Sequence, residues 1–183
     1  KYMDIALKKS LRLEELTNQF FDITRYNLQS MPITKQNIDL VFLLEQLVEE
    51  SYPMLQEKKL ECILNKPKAI QFMGDGDKLA RAFGNLLKNA INYSYLNTTI
   101  KIDIKEYEDK IEIVFKNKGD KIPEYKLKKI FDKFYRADES RTSSTGGAGL
   151  GLAITKQIIE LHNGKIYAKN DNEFIEFYIE LSK

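Results

Sequence analysis

Three asparagines recur on one stripe of a segment that has the pattern of an amphipathic helix. At about 100° per residue, Asn85, Asn89 and Asn92 fall beside the apolar face of the segment that starts at Asp77. Asparagine costs roughly 0.5 kcal/mol relative to alanine at an exposed position inside a helix, so three on one stripe invite an explanation beyond solubility. A site for a polar ligand is one explanation. Solvated side chains, or side chains that bond to the local backbone, are the alternative.

A glycine-rich run immediately precedes another predicted helix. It reads Gly146-Gly147-Ala148-Gly149-Leu150-Gly151-Leu152. Backbone without side chains can approach a polyphosphate closely, and the N-terminus of a helix favours an anion. No Lys-Ser/Thr follows the glycines as in a Walker motif, and no strand precedes them as in a Rossmann fingerprint. A flexible linker is the alternative, which the helix directly after the run disfavours.

The chain has one histidine and one cysteine. His162 lies at the end of a predicted helix, where a positive charge would complement the helix dipole, and we expect it to have a structural role. Cys62 cannot form an internal disulfide, and no Cys/His cluster has metal-ligand spacing. This cysteine usage favours a reducing compartment.

Composition indicates a globular protein with one substantial core. The 183 residues are 43% hydrophobic and 31% charged, and 29 basic residues nearly balance 27 acidic ones. Without a net positive field we expect no nucleic-acid partner. No run approaches the roughly 20 apolar residues needed to cross a bilayer. Because the first residue is Lys1 rather than Met, we expect a fragment whose membrane association, if any, depends on other segments.

Residues 1–30 have the pattern of one long amphipathic helix. The apolar positions recur at spacings of seven, three and four, at Ala6, Leu13, Leu16, Phe20 and Ile23. An isolated helix of this kind is marginal in water, so it needs a partner. Heptad-like spacing favours a helical hairpin or dimer seam over packing on the domain's own core. Met31-Pro32 predicts a boundary before a second domain at 31–183.

The second domain alternates between strand and helix patterns. We predict strands at 33–39, 60–64, 100–104, 111–115, 165–168 and 174–181, and helices at 40–58, from residue 77, at 124–131 and at 150–161. Gly164 suits the left-handed cap of the last helix. The stretch 119–151 is predicted to be a long, mobile loop around the helix at 124–131. Strands outnumber connecting helices, so we expect an α+β fold, a two-layer α/β sandwich with a mixed sheet and its helices on one face.

Four short motifs follow one another along the chain. They are Asn85-Leu86-Leu87-Lys88-Asn89-Ala90 with Tyr93-Ser94, Asn117-Lys118-Gly119, Phe131-Asp132-Lys133-Phe134-Tyr135-Arg136, and Gly147-Ala148-Gly149-Leu150-Gly151-Leu152. Together they resemble the four ordered boxes of the GHKL-type (Bergerat) ATP-binding domain of bacterial sensor histidine kinases. The resemblance covers 33–183, and residues 10–25 resemble the second helix of the family's dimerisation hairpin. The lid and the final box look most like sensor kinases of the vancomycin-resistance type.

The resemblance implies that ATP and Mg²⁺ are the ligands. Asn89 would ligate the metal through its amide oxygen, with Asn85 beside it on the metal or the phosphates. Asn117 would meet the adenine, where most members carry Asp; its carbonyl oxygen can accept a hydrogen bond from the exocyclic amine but lacks the charge. Gly119 and Ile122 would form the floor of the base pocket.

Further implied contacts surround the base and the phosphates. Tyr93 would pack near the base, and the segment Gly147–Gly151, with Gly149 and Leu150, would face the phosphates. Phe134 and Tyr135 would anchor the lid, with plain core packing as the alternative. The candidate phosphate contacts are Lys88, Arg136 and Arg141. The two arginines could instead dock on the hairpin or be solvated.

The activity implied by the resemblance is transfer of the ATP γ-phosphate to a histidine, for relay to a response regulator. The family's acceptor histidine and its neighbouring acidic residue belong to the first hairpin helix, which this chain lacks, so we do not expect it to autophosphorylate alone. The intact protein is expected to be a homodimer through the hairpin, and this chain the cytoplasmic portion of a bacterial membrane protein.

Two other functions remain open at the level of sequence. One is a different enzyme of the superfamily, a serine-phosphorylating anti-sigma kinase or a nucleotide-hydrolysing clamp, which the hairpin-like segment and the motif at 131–136 disfavour. The other is a degenerate domain that acts only as a binding or dimerisation module. Three residues keep this second alternative open. Asn92 stands where relatives commonly carry lysine, Lys121 where they carry glycine, and Asn117 where most carry aspartate.

Overall fold

The computed structural model describes residues 32–135 and 149–183, together with Met3, Lys9, Ser10 and Thr17. The predicted N-terminal helix and the predicted boundary at residue 31 therefore fall largely outside the described residues. Arg136, Arg141 and Gly147 lie outside them as well.

Within the described residues, seven strands form two sheets. In chain order they are β1 Gln36–Asp39, β2 Glu61–Asn65, β3 Gln71–Gly74, β4 Thr99–Glu106, β5 Lys110–Lys118, β6 Lys165–Asp171 and β7 Phe174–Ser182. The main sheet has the order β2-β4-β5-β7-β6, and β1 pairs with β3 in a small antiparallel ribbon. Strand β2 runs parallel to β4 and the other neighbours are antiparallel, so the main sheet is mixed, as predicted.

Five α-helices and one 3₁₀ turn accompany the sheets in the described part of the chain. They are α1 Leu40–Glu50, α2 Tyr52–Glu57, α3 Gly76–Tyr93, α4 Glu124–Leu127, the 3₁₀ turn Lys129–Phe131 and α5 Gly151–Leu161. Asp39 begins α1 by accepting hydrogen bonds from the amides of Val41 (2.9 Å) and Phe42 (3.4 Å). Within the described residues, no helix combines the length and the apolar character that crossing a membrane requires.

The core lies between one face of the main sheet and the helices. Alternate residues of β4 and β5 are buried, and so is the apolar stripe of α3, which comprises Leu79, Ala82, Phe83, Leu86, Leu87, Ala90 and Ile91. The other sheet face carries ion pairs such as Lys116 with Asp103 and Glu176, both at 3.2 Å. This arrangement confirms the predicted α+β sandwich.

Several predicted boundaries are wrong in detail. The helix predicted at 40–58 is two helices, because Pro53 lacks an amide hydrogen and begins a new turn after Ser51. Strand β3 was not predicted because its four residues are too few for an alternation to stand out. Asn163, rather than Gly164, takes the left-handed conformation after α5, with φ +58°. Gly164 is needed for space, since a Cβ there would lie 2.6 Å from the carbonyl oxygen of Glu180.

Candidate functional site

The beginning of α3 is fixed by a buried carboxylate. Asp75, 5% exposed, accepts hydrogen bonds at 3.1 Å from the amides of both Lys78 and Thr34, and the Lys78 ammonium lies 2.5 Å away. Burial would raise the pKa of Asp75, but the hydrogen bonds from Lys78 and Thr34 outweigh it, and the pKa is lowered. Asp75 therefore stays ionised and caps the helix.

His162 joins the end of α5 to the beginning of α3. Its Nε2 accepts a hydrogen bond from the Asp75 amide (2.9 Å), and its Nδ1 donates to the Ile158 carbonyl (2.8 Å). These partners require a neutral ring with its proton on Nδ1. Burial lowers the pKa of this imidazole, in agreement with the neutral form. His162 therefore does not complement the helix dipole with a positive charge, and its contacts are those of a structural residue.

Asn85 connects the middle of α3 to the first turn of α5. Its Nδ2 lies 3.2 Å from the Gly151 carbonyl oxygen and 3.4 Å from Thr155 Oγ1. The Thr155 hydroxyl is fully buried and reaches the carbonyls of Gly151 (2.9 Å) and Ala82 (3.3 Å). The first asparagine of the stripe is thus brought to the glycine-rich motif, 66 residues later in the chain.

The second half of the stripe is more open. Asn89 lies one turn beyond Asn85, is half-buried, and its side chain forms no hydrogen bond within the described residues. Tyr93 is 44% exposed at the last position of the helix, and Lys88 is exposed on the neighbouring face. Asn89 is therefore the predicted metal ligand whose side chain is least committed to the protein, because Asn85 is held through its Nδ2.

The end of β5 meets the end of α3. Strand alternation places Asn117 on the core face, in the same row as Ile113 and Phe115, where it is 2% exposed. A Cβ on Gly119 would lie 2.2 Å from the Tyr93 carbonyl oxygen and 3.4 Å from Asn117 Nδ2. Only glycine permits this approach, so the Asn117 side chain, the Gly119 backbone and the Tyr93 carbonyl lie together at this end of α3.

Ile122 is held through its backbone. The Asn170 side chain accepts a hydrogen bond from the Ile122 amide (3.1 Å) and donates to the Ile122 carbonyl (2.7 Å). The Ile122 side chain packs against the core. Sequence reasoning missed Asn170, because it precedes Asp171-Asn172 and looks like an ordinary turn residue.

The predicted lid anchor lies in the described residues next to Gly149. The Phe134 amide donates to the Gly149 carbonyl (3.0 Å), and both residues have positive φ, +64° and +73°. A Cβ on Gly149 would lie 2.8 Å from the Tyr135 carbonyl oxygen, so glycine is needed here. Tyr135 and Leu150 pack on the core, whereas Phe134 is 65% exposed, so plain core packing does not account for Phe134.

Two further residues that support the site were missed. Thr155 anchors Asn85, as described above. Lys58 Nζ donates to the carbonyls of Ile91 and Asn92, both at 2.9 Å, and so satisfies the C-terminal end of α3. Neither had a sequence signal, since Thr155 lies among apolar residues and Lys58 belongs to a run of charged residues, Glu57-Lys58-Lys59.

The amide oxygens of α3 suit a metal ion that is coordinated jointly by the protein and by a bound ligand. Among the residues that the structure describes, no group of three or more His, Cys, Asp and Glu side chains could hold a metal ion. Mg²⁺ commonly retains water and substrate phosphates among its ligands, so one or two amide oxygens from α3 are sufficient protein ligands.

The chain belongs to the family of histidine kinase-, DNA gyrase B-, and HSP90-like ATPases, whose model matches residues 74–183. It is 49% identical to the sensor protein VanS of Enterococcus faecium, over 99% of this chain and 47% of VanS. The chain thus spans about half the length of the curated relatives it matches. These matches confirm the resemblance to sensor histidine kinases that the four motifs indicated.

Solved structures agree with this assignment. The nucleotide-free catalytic domain of histidine kinase ThkA matches with a TM-score of 0.72 at 28% identity, over 84% of this chain and 97% of ThkA's domain. ThkA in complex with the response regulator protein TrrA has a kinase chain that matches with a TM-score of 0.81 at 24% identity, over 100% of this chain and 51% of that one. At 24% identity, the match to the ThkA–TrrA complex shows a shared fold.

Proposed function

We propose that this chain is the ATP-binding catalytic part of a sensor histidine kinase, which transfers the γ-phosphate of ATP to a histidine. The observation that carries the proposal is the convergence of two distant motifs on α3, which carries a third. Asn85 contacts Gly151 near the middle of the helix, and Tyr93 contacts Gly119 at its end. Polar groups suited to a base and to phosphates thus border one region.

The base is assigned to the cluster at the end of β5. Asn117 provides a buried amide, and Gly119, which has no side chain, allows β5 to approach α3 closely. Ile122 and Tyr93 offer apolar surface. The phosphates are assigned to the Gly149–Gly151 end. Helix α5 begins at Gly151 without a side-chain cap, whereas α1 and α3 are capped by aspartates. The uncapped amides of α5 are therefore available to an anion.

Asn89 is proposed as the Mg²⁺ ligand, with Asn85 beside it. The metal, when bound, would neutralise charge on the phosphates. Asn85 already donates through its Nδ2, which leaves its Oδ1 as the group for a cation. Lys88 is a further candidate phosphate contact, and Arg136 and Arg141 remain candidates that the described residues do not include.

The phosphate acceptor is assigned to another part of the intact protein. His162 is 2% exposed and both of its ring nitrogens are bonded to backbone groups, so it cannot attack a phosphate. We therefore expect no autophosphorylation by this chain alone. The acceptor belongs, in this proposal, to a hairpin whose second helix is formed by residues 1–30.

The partners and the location of the intact protein are part of the same proposal. ThkA's complex with a response regulator supports a response regulator as the phosphate-receiving partner. The relatives are named sensor proteins, which supports assigning this chain to the cytoplasmic side of a bacterial membrane protein. Homodimer formation would use the helical hairpin.

The test is isothermal titration with a nonhydrolysable ATP analogue, with and without Mg²⁺, for the wild type and Asn89→Ala. We expect magnesium to enhance binding in the wild type, and Asn89→Ala to reduce that enhancement by about tenfold or more. The variant should keep its unfolding temperature, because the Asn89 side chain forms no hydrogen bond within the described residues.

A matched control makes the same change far from the site. Asn65, on edge strand β2, donates to Asp103 at 2.7 Å, and Asn65→Ala should bind nucleotide as the wild type does. Equal magnesium dependence in Asn89→Ala and wild type would remove Asn89 from the metal site. Absence of binding by the wild type at millimolar analogue would favour the degenerate binding or dimerisation module.

A further inference from the structure

Asn117 holds the one buried side-chain polar atom that has no hydrogen-bond partner among the described residues. This atom is Nδ2. The row of residues that precedes it on the same face of β5, Ile111, Ile113 and Phe115, is apolar and buried. A buried donor without a partner is destabilising, so its presence at the end of an apolar row indicates a ligand that supplies an acceptor.

The charged residues beside Asn117 in sequence are directed elsewhere. Lys118 lies on the other face of the sheet, where its ammonium meets Glu173 at 2.7 Å. Asp120 accepts a hydrogen bond from the Tyr95 hydroxyl at 2.6 Å. The recognising group in this pocket is therefore a neutral amide, which suits the neutral, polar edge of a nucleobase.

An amide can bond to two complementary base edges. Adenine presents the amino donor at position 6 beside an acceptor at N1. A 6-oxo purine presents an oxygen acceptor at position 6 beside an N1–H donor. An asparagine meets the first with its oxygen on the amino group and its nitrogen on N1; rotated by half a turn, it meets the second. Neither amide atom of Asn117 has a hydrogen bond within the described residues that would fix one orientation.

We infer that Asn117 makes this pocket accept 6-oxo purine nucleotides nearly as well as adenine nucleotides. The inference rests on the proposed nucleotide binding and specifies the substrate class of that same site. A carboxylate at this position would only accept hydrogen bonds, so it would favour the 6-amino group and repel the 6-oxygen. Asn117 is thus the residue that sets selectivity at position 6.

The test compares ADP with inosine diphosphate by isothermal titration in magnesium. The two nucleotides differ only at position 6 and in the N1 proton, and neither carries a γ-phosphate to transfer. We expect the wild-type dissociation constants to agree within about tenfold, and Asn117→Asp to favour ADP by at least about tenfold more than the wild type does. Asn117→Ala should weaken both nucleotides by similar factors.

The outcomes separate this inference from the proposed function. ADP binding with inosine diphosphate weaker by about a hundredfold or more in the wild type would overturn the inference and leave ATP binding intact. An unchanged ratio in a folded Asn117→Asp would also overturn it. Absence of binding for both nucleotides would overturn the proposed function together with the inference. Thermal unfolding without nucleotide establishes that each variant is folded.

Discussion

The two halves of helix α3 differ in how their polar groups are satisfied. In the first half, Asp75 is bonded to Lys78 and to the Thr34 amide, and Asn85 is bonded to α5. In the second half, the Asn89 side chain has no bond within the described residues, and the neighbouring Asn117 has a buried donor without a partner. One helix therefore combines a fixed half with a half that leaves hydrogen-bonding groups for a ligand.

This difference separates positioning from binding. A buried donor without a partner costs about 1–3 kcal/mol, so a domain retains one where a ligand supplies the missing acceptor. The satisfied half orders α3 against α5 before any ligand arrives. Substitutions in the first half should therefore lower stability, whereas substitutions of the groups without partners should lower affinity without lowering stability.

The largest expected effect is at the junction between the open half and β5. In Gly119→Ala, the new Cβ would lie 2.2 Å from the Tyr93 carbonyl oxygen, so the backbone at residue 119 must move away from the end of α3. We expect the free energy of unfolding to fall by about 1–3 kcal/mol and nucleotide binding to be lost. Chemical denaturation and isothermal titration measure the two effects.

Gly84→Ala is the matched control inside the same helix. Its Cβ would meet Leu47 at 3.7 Å, an ordinary contact, so helix propensity should dominate and raise stability by about 0.5–1 kcal/mol. Similar destabilisation in both variants would show that α3 does not tolerate any added methyl group, and would remove the special role of Gly119.

Thr155→Val tests the fixed half with a smaller change. Valine keeps the shape but removes the buried hydroxyl that lies between Asn85 and the carbonyls of Gly151 and Ala82. We expect a loss of about 1–2 kcal/mol in the free energy of unfolding. Thr98→Val, which removes an exposed hydroxyl bonded to the Tyr95 carbonyl, should change stability by less than about 0.5 kcal/mol. Equal losses would argue against a positioning role for Thr155.

The apolar patterns were sufficient to predict the fold class. The apolar stripe of α3 and the alternation of β4 and β5 are long. Because one face of each element is buried, the pattern determines both the type of element and the face that packs on the core. The glycines were informative because Gly119 and Gly149 lie where a Cβ would meet backbone atoms. The resemblance assigned both Asn85 and Gly151 to the phosphate end of the site, but their contact is seen only in the structure.

Contacts between side chains and distant backbone could not be predicted. Lys58 bonds to carbonyls 33 and 34 residues away, and Asn170 holds Ile122 across 48 residues. Such bonds depend on how the elements meet, which a single sequence does not record. The neutral state of His162 could not be predicted for the same reason, because the helix dipole is a local property whereas its partner Asp75 is 87 residues away.

The smallest expected effect is the pH dependence contributed by His162 to the fixed half of α3. Burial, together with Lys35 and Lys78, lowers the pKa of His162 below 6.5, against the opposing influence of the Ile158 carbonyl and Asp75. The unfolded chain therefore binds the proton first, and stability that is fully present above about pH 6.5 is lost as pH falls toward the folded pKa. The slope cannot exceed about 1.4 kcal/mol per pH unit, since one proton is involved.

His162→Gln keeps a donor and an acceptor at this position but does not titrate. Denaturation from pH 7.5 to 5.5 should show a steeper loss of stability in the wild type than in the variant. Asp75 does not interfere in this range, because its lowered pKa places its titration at more acidic pH. Parallel pH profiles would mean that protonation of His162 is tolerated between α5 and α3, and the neutral bond to the Asp75 amide would then have no part in holding the two helices together.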